Sequence, residues 1–394
     1  MAVLCENCAS KLRFDPDAGK LVCSSCGGKF SVEGEKAFSY ANHSTSSDKL
    51  EIRTMDFEVK ICQTCGARLS YYSNELNTVC SYCGNSDIRT EGKLRKRRPD
   101  AIIPFTVSRE TADSIVREHI AELPFVEQGF AKREIASICG IYIPYYIVNA
   151  DYRSIMNIQY SDEVKLDSSV SCAFDKLTLE ASDMLPDEVS VAVEPYDISK
   201  LMEFNEGYLQ GFSADIADTD AEELERRAND SIKRMAIAEC RRMNIITKDA
   251  RILKNDGRAM FNGKADYALF PVWIATIVHN GCKTAFLVNG QTGKVYGTPP
   301  YSEAGFRRRV ILTSLFTIPL MALVFYVFSR VAARVILSHA FIGLFLSLIL
   351  TVALIIAFKS FIRHWLDDAD MKDIIAMSSS KSLIGFMKRR SGNG

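Results

Sequence analysis

Eight of the twelve cysteines fall in the first 83 residues, and they repeat one spacing twice. Cys5-x2-Cys8-x14-Cys23-x2-Cys26 is followed by Cys62-x2-Cys65-x14-Cys80-x2-Cys83, the same pattern displaced by 57 residues. A C-x2-C pair turns back on itself, so that two sulfurs aim at one point while nearby backbone N–H groups donate to them. A small residue after the second cysteine suits that turn, and Ala9, Gly27, Gly66 and Gly84 stand there. Two such knuckles joined by a short hairpin make a closed, tetrahedral four-thiolate site. Zinc is the expected ion, two per chain, held by Cys5, Cys8, Cys23 and Cys26 and by Cys62, Cys65, Cys80 and Cys83. Iron in a rubredoxin-like site is the alternative, since four thiolates suit both metals. A closed site has no position for water, so it points to structure rather than catalysis. Leu12 with Leu69, and Val22 with Val79, are expected to pack beneath the two metals.

The ribbons resemble those of transcription factor B and of the primosomal helicase family, over some 25 residues each. Phosphate binding would need positive charge. Residues 1–30 hold Lys11, Arg13, Lys20 and Lys29 against Glu6, Asp15 and Asp17, and residues 60–90 hold Lys60, Arg68 and Arg89 against Glu75 and Asp87. Each ribbon is therefore +1 before a zinc–thiolate centre adds about −2. That argues against nucleic acid as a partner, as does the net charge of zero over 394 residues, 48 Lys+Arg against 48 Asp+Glu. No G-x4-G-K-[ST] loop is present to support a helicase.

Composition shifts along the chain. Val310 to Ser329 is twenty residues and Val335 to Phe358 twenty-four, both without a charge. A bilayer core of about 30 Å takes about 20 helical residues, so both runs are expected as transmembrane helices in a hairpin turning at Arg330–Arg334. Lys294, Arg307, Arg308 and Arg309 before the pair, and Lys359, Arg363 and Lys372 after it, outnumber Arg330 and Arg334 between them. That excess places both termini in the cytoplasm of a two-span cell-membrane protein. In the tail, Lys388, Arg389 and Arg390 follow Leu383, Ile384, Phe386 and Met387. The tail reads either as disordered or as a segment lying on anionic membrane lipid.

The expected organisation is a zinc ribbon at 1–32, a linker at 33–59, a second ribbon at 60–90, a basic linker at 91–99 (KLRKRR), an α+β cytoplasmic domain at 100–302, helices at 310–329 and 335–358, and a tail at 359–394. Within 100–302, Ser108 caps a helix to about Ile120, and Thr219-Asp220-Ala221-Glu222 opens another to about Arg242. Phe270 to Val278 and Thr284 to Val288 form a hairpin across Asn280-Gly281. Ile143-Pro144-Tyr145-Tyr146 and Phe270-Pro271-Val272-Trp273 share a pattern whose proline suggests an edge or a bulge.

These segments resemble membrane-anchored double zinc-ribbon proteins of bacteria. The similar stretches are Arg98-Pro99-Asp100, Ile103-Pro104-Phe105, Gly140 to Pro144, Glu194-Pro195-Tyr196-Asp197, Phe204-Asn205, Tyr208 to Asp215, Pro271-Val272-Trp273 and Asn289 to Lys294. The resemblance implies partners among flotillin-like and phage-shock-protein-A-like proteins, and it brings no catalytic residues. The residues give an enzyme little support of their own. His43, His119, His279, His339 and His364 are scattered, and Cys139, Cys172, Cys240 and Cys282 read as isolated buried thiols. The expectation is a non-enzymatic, membrane-anchored zinc adaptor that docks partner proteins, with a membrane-associated nucleic-acid binder as the alternative.

Overall fold

The computed structural model describes residues 3–40, 53–71, 80–81, 84–123, 125–127, 129–160, 164–182, 187–215, 217, 221–247 and 250–336. Among the described residues the chain divides into two units, 1–116 with 135–297, and 117–134 with 298–336.

The first unit is built mainly of strands. A three-stranded antiparallel sheet holds β1 (Leu12–Asp15), β2 (Lys20–Cys23) and β3 (Lys29–Phe30). The remaining strands join one large sheet. Its amino-terminal members are β4 (Thr54–Cys62), β5 (Arg68–Tyr71) and β6 (Ile88–Arg97), with β5 and β6 antiparallel on either side of β4. The basic run anticipated as a linker is thus mostly strand, with Lys93 to Arg97 paired to β4.

After β7 (Ala101–Ile102) and α1 (Arg109–Glu122) comes β8 (Ile135–Gln159), a strand of 25 residues, antiparallel to β9 (Lys165–Glu180). Next stand α2 (Asp187–Val193), β10 (Met202–Glu203), β11 (Ser213–Ala214) and α3 (Ala221–Arg242). β12 (Arg251–Asn255), β13 (Arg258–His279), β14 (Cys282–Asn289) and β15 (Val295–Tyr296) complete the unit. Asn280 and Gly281 take φ of 50° and 76° and join β13 to β14 as a two-residue hairpin loop. Positive φ at both positions matches the twist of the flanking strands.

The two prolines are neither at an edge nor in a bulge; they stand at corresponding points of two similarly paired strands. β11 pairs parallel with β8 at Ile141 and Tyr142, three and two residues before Pro144. β7 pairs parallel with β13 at Ala268 and Leu269, three and two residues before Pro271. Past each proline the outer neighbour becomes antiparallel, beginning with Tyr145↔Glu180 on one strand and Val272↔Asn289 on the other. Ala181 N then donates to Pro144 O at 2.9 Å and Gly290 N to Pro271 O at 2.8 Å. The missing proline N–H therefore falls where each long strand changes partner, and no ladder bond is lost. Each long strand thus pairs with the short strand that precedes the other, β8 with β11 and β13 with β7.

Two large clusters of buried side chains among the described residues help to stabilise this sheet. Ile141, Ile143, Tyr145 and Ile147 of β8 join Ala268, Phe270, Val272 and Ile274 of β13 under Val189 and Val193 of α2. Tyr145 stacks on Phe270 with centroids 4.4 Å apart. Further along, Tyr152, Met156 and Ile158 pack with Ile232, Ala236 and Cys240 of α3. Burial of such side chains contributes about 1.5–3 kcal/mol each before entropy is charged against it.

In the second unit, Phe125 lies edge-on to Tyr301 and Phe306, and Ser302 N donates to Phe125 O at 2.7 Å. α4 (Glu303–Ile336) follows as one helix of 34 residues.

Three expectations are corrected here. The α+β body is predominantly β with few helices, because β8 and β13 run unbroken through Pro144 and Pro271 over 25 and 22 residues. The hairpin turn at Arg330–Arg334 does not form, since α4 passes straight through it. Among the described residues, no helix is long and apolar enough to cross a membrane. Freedom from charge permits a span without requiring one. The transmembrane hairpin, the membrane assignment and the two-span cell-membrane placement with cytoplasmic termini are therefore withdrawn. The run to Phe358 beyond Ile336 and the tail at 359–394 lie outside the described residues.

Candidate metal centres

The four knuckles share one backbone design. Ala9, Gly27, Gly66 and Gly84 take φ of 57°, 74°, 72° and 68°. Each donates its N–H to the carbonyl of the first cysteine of its knuckle, at 2.7 to 2.9 Å. In return Cys5, Cys23, Cys62 and Cys80 donate their own N–H groups to Ser10, Gly28, Ala67 and Asn85. The left-handed conformation, more than small size, is what the position after the second cysteine demands. Glycine meets it without strain, and Ala9 at a cost of about 1 kcal/mol.

These turns bring the sulfurs together. Cys5, Cys8, Cys23 and Cys26 form one group, and Cys62, Cys65 and Cys80 another, with the sulfurs of each within 4.8 Å of one another. Cys83 lies outside the described residues, as do Val79 and the side chain of Leu69. Sulfur separations are 3.5 Å for Cys5–Cys26, 3.5 Å for Cys8–Cys23 and 3.7 Å for Cys65–Cys80. A tetrahedron with Zn–S bonds of about 2.3 Å has edges of about 3.8 Å, so both groups fit an ion of that size. A disulfide needs about 2.05 Å, and these cysteines are free thiols. In the first group the Ser10 hydroxyl and amide hold the Cys8 thiol down to about 6. The Gly28 amide lowers Cys26, but hydrogen bonds shared with Cys5, Cys23 and Cys8 outweigh it and push that thiol up to about 12.

The surroundings of the two groups differ. The first belongs to the separate small sheet, and Cys8 and Cys26 are exposed. Phe14 of β1 meets Tyr208 edge-on at 5.1 Å, and Phe14 N donates to Gln210 O. Asn205 donates to Glu33 O, and Tyr208 donates to Glu35. The Phe204-Asn205 and Tyr208-to-Phe212 segments are therefore the platform on which the first ribbon rests. In the second group Cys62, Cys65 and Cys80 are buried and belong to the same apolar core as Ile143, Phe270 and Val272. β11 bridges β5 to β8 through Ala214↔Ser70 and Ser213↔Ile141, and Ser81 bonds Ser213 at 2.7 Å. A Cβ on Gly84 would stand 2.4 Å from Ser137 of β8. The sequence repeat did not reveal this difference, because the contacts that create it come from residues more than fifty positions away.

Elsewhere, Cys172 and Cys240 meet side chain to side chain between β9 and α3, where burial pushes both thiols up. Neither suits a nucleophile. A groove of about 580 Å³ beside β9, α2 and α3 holds Glu194, pushed up to about 7 by burial, but none of the described residues lining it is a histidine or cysteine.

No family model matches the chain, and no solved structure matches it. The chain is similar to the "Uncharacterized protein YdjG" of Bacillus subtilis (strain 168), 28% identical over 322 residues, which cover 76% of this chain and 90% of that protein. Two amino-terminal cysteine clusters able to form zinc ribbons are what the chain itself establishes.

One expected result follows directly. Metal analysis of the purified protein should find two zinc ions per chain. One ion or none, or the visible absorption of iron–thiolate, would refute the assignment.

Proposed function

We propose that this protein is a non-enzymatic zinc-binding adaptor whose first ribbon offers a docking surface to a partner protein. The observation that carries the reading is the four-sulfur cluster of Cys5, Cys8, Cys23 and Cys26. Its four sulfurs would close the coordination sphere of a tetrahedral ion, it lies on a small sheet of its own, and it faces solvent at Cys8 and Cys26. Such a site gives a fixed surface shape without needing a large core. The resemblance to double zinc-ribbon proteins points to flotillin-like or phage-shock-protein-A-like partners.

A nucleic-acid partner is the second reading, favoured by one observation. β6 is an outermost strand of the large sheet, and Arg89, Lys93, Arg95 and Lys96 on it are exposed. Arg95 lies 3.8 Å from Asp56, and Arg97 is paired with Asp100 at 2.5 Å, which reduces the net field.

Binding of the zinc-loaded protein to a phage-shock-protein-A-like protein and to single-stranded DNA, each followed as salt rises, separates the two. Docking on ribbon surface should change little with salt and vanish in the Cys5→Ser/Cys8→Ser variant. Measurable DNA affinity that falls about a thousandfold between 50 and 200 mM salt, with no protein docking, would replace the adaptor with the nucleic-acid reading.

A further inference from the structure

The two cysteine clusters share a sequence pattern but not an environment, and the difference concerns how each would respond to an oxidant. In the first cluster, each exposed thiol has a buried partner. Cys8 lies 3.5 Å from Cys23, and Cys26 lies 3.5 Å from Cys5, with Cys5 and Cys23 only 2% and 1% exposed. A reagent can therefore reach one sulfur of each pair, and the second sulfur is already near enough to close a bond after a small movement. In the second cluster, Cys62, Cys65 and Cys80 are 0%, 1% and 0% exposed. None of the three presents a sulfur to solvent, and all are packed into the main core.

We infer that the first ribbon is a peroxide-responsive switch on the docking surface, while the second is a permanent structural centre. This rests on the zinc-adaptor reading and adds its regulation. The chemistry balances with hydrogen peroxide as the oxidant. Cys8 Sγ attacks one peroxide oxygen, the O–O bond breaks, and a sulfenic acid forms on Cys8 while the departing hydroxide takes a proton to become water. Cys23 Sγ then attacks the sulfenic sulfur, the S–O bond breaks, and the S–S bond forms as the second oxygen leaves as water with a further proton. The two thiols lose two electrons and peroxide gains them. Only two of four donors remain, which is too few to retain zinc in a tetrahedral structural site. Cys26 with Cys5 offers the same sequence from the other side.

The consequence is local. The first ribbon meets the body through a few contacts, Phe14 on Tyr208 and Asn205 on Glu33 among them, so its loosening leaves β8, β13 and their core in place. Docking is lost while the body stays folded, and thiol reductant with fresh zinc restores the surface.

The test uses the full-length, zinc-loaded protein with hydrogen peroxide and a chromogenic zinc chelator. One zinc ion per chain should be released at least about tenfold faster than the other, as thiolate access sets the rate. Non-reducing digestion and mass spectrometry should then find a Cys8–Cys23 or Cys5–Cys26 disulfide, with Cys62, Cys65 and Cys80 still reduced and the cooperative thermal unfolding of the main sheet retained. Release of both ions at one rate, or disulfides among Cys62, Cys65 and Cys80 first, would overturn the switch and leave the zinc adaptor intact. A protein that carries no zinc before peroxide is added would overturn the adaptor reading itself.

Discussion

Replacing Cys62 and Cys65 together by serine should abolish cooperative unfolding of the main sheet, whereas the same change at Cys5 and Cys8 should leave its midpoint within a few degrees. The asymmetry comes from position. Cys62 closes β4, which is hydrogen-bonded to β5, and β5 reaches β8 through β11. Its sulfur is packed in one core with Ile141, Ile143, Phe270 and Val272. Serine there removes two metal ligands and leaves hydroxyl groups in an apolar site, where each unpaired one costs about 1–3 kcal/mol. Structural zinc supplies on the order of 10 kcal/mol to small ribbons, so the combined loss exceeds the 5–15 kcal/mol that holds a typical domain folded. Cys5 and Cys8 sit on the separate three-stranded sheet, and their loss unfolds about thirty residues locally. Thermal melts followed by circular dichroism, with zinc counted in each variant, decide the matter. Equal damage from the two pairs would mean that the second ribbon is not part of the body's core.

The metal centres were readable from the sequence because their constraints are local. Two residues between cysteines and a left-handed position after the second are short-range requirements, and the Asn280-Gly281 hairpin is another. Ser108 likewise caps α1, accepting from Thr111 N. What the sequence hid is long-range. Lys93 to Arg97 read as a linker because five of the six residues from Lys93 to Arg98 are cations, yet β4 supplies the hydrogen bonds that make the run a strand. Pro144 and Pro271 read as edge or bulge residues because a local rule cannot see a strand exchanging one neighbour for another. The charge-free run from Val310 read as half of a membrane hairpin on composition alone, although Arg330-Val331-Ala332-Ala333-Arg334 holds no glycine or proline to break α4. In each case the deciding partner is distant in the chain or was assumed from composition.

The segments that carry the family resemblance turn out to hold the body together, and Asn289 in Asn289 to Lys294 is where the largest single-residue effect outside the cysteines is expected. Its side chain is 0% exposed. Nδ2 donates to Val193 O at 2.8 Å and to Pro195 O at 3.3 Å, fastening the end of α2 and the Glu194-Pro195-Tyr196-Asp197 segment to the turn after β14. Oδ1 accepts from Gln291 N at 2.8 Å and Thr292 N at 2.9 Å, which folds that turn. One side chain thus satisfies four backbone groups, and at about 1–3 kcal/mol for each partner left unpaired, water partly replacing the outer ones, Asn289→Ala should cost about 3–5 kcal/mol. Asn289→Asp separates the two halves of the role. It keeps the acceptor, keeps a single O–H donor only while protonated, and places a carboxyl group in a buried site, where desolvation raises its pKa above the unfolded value. The folded state then holds its proton more tightly than the unfolded state does. The Asp variant should therefore be least impaired below the unfolded carboxyl pKa and should lose further stability as pH rises toward the folded one. Urea unfolding of both variants at pH 5 and pH 8 measures this. An Ala variant within 1 kcal/mol of the parent, or an Asp variant more stable at pH 8 than at pH 5 relative to the parent, would show that Asn289 does not fasten these segments.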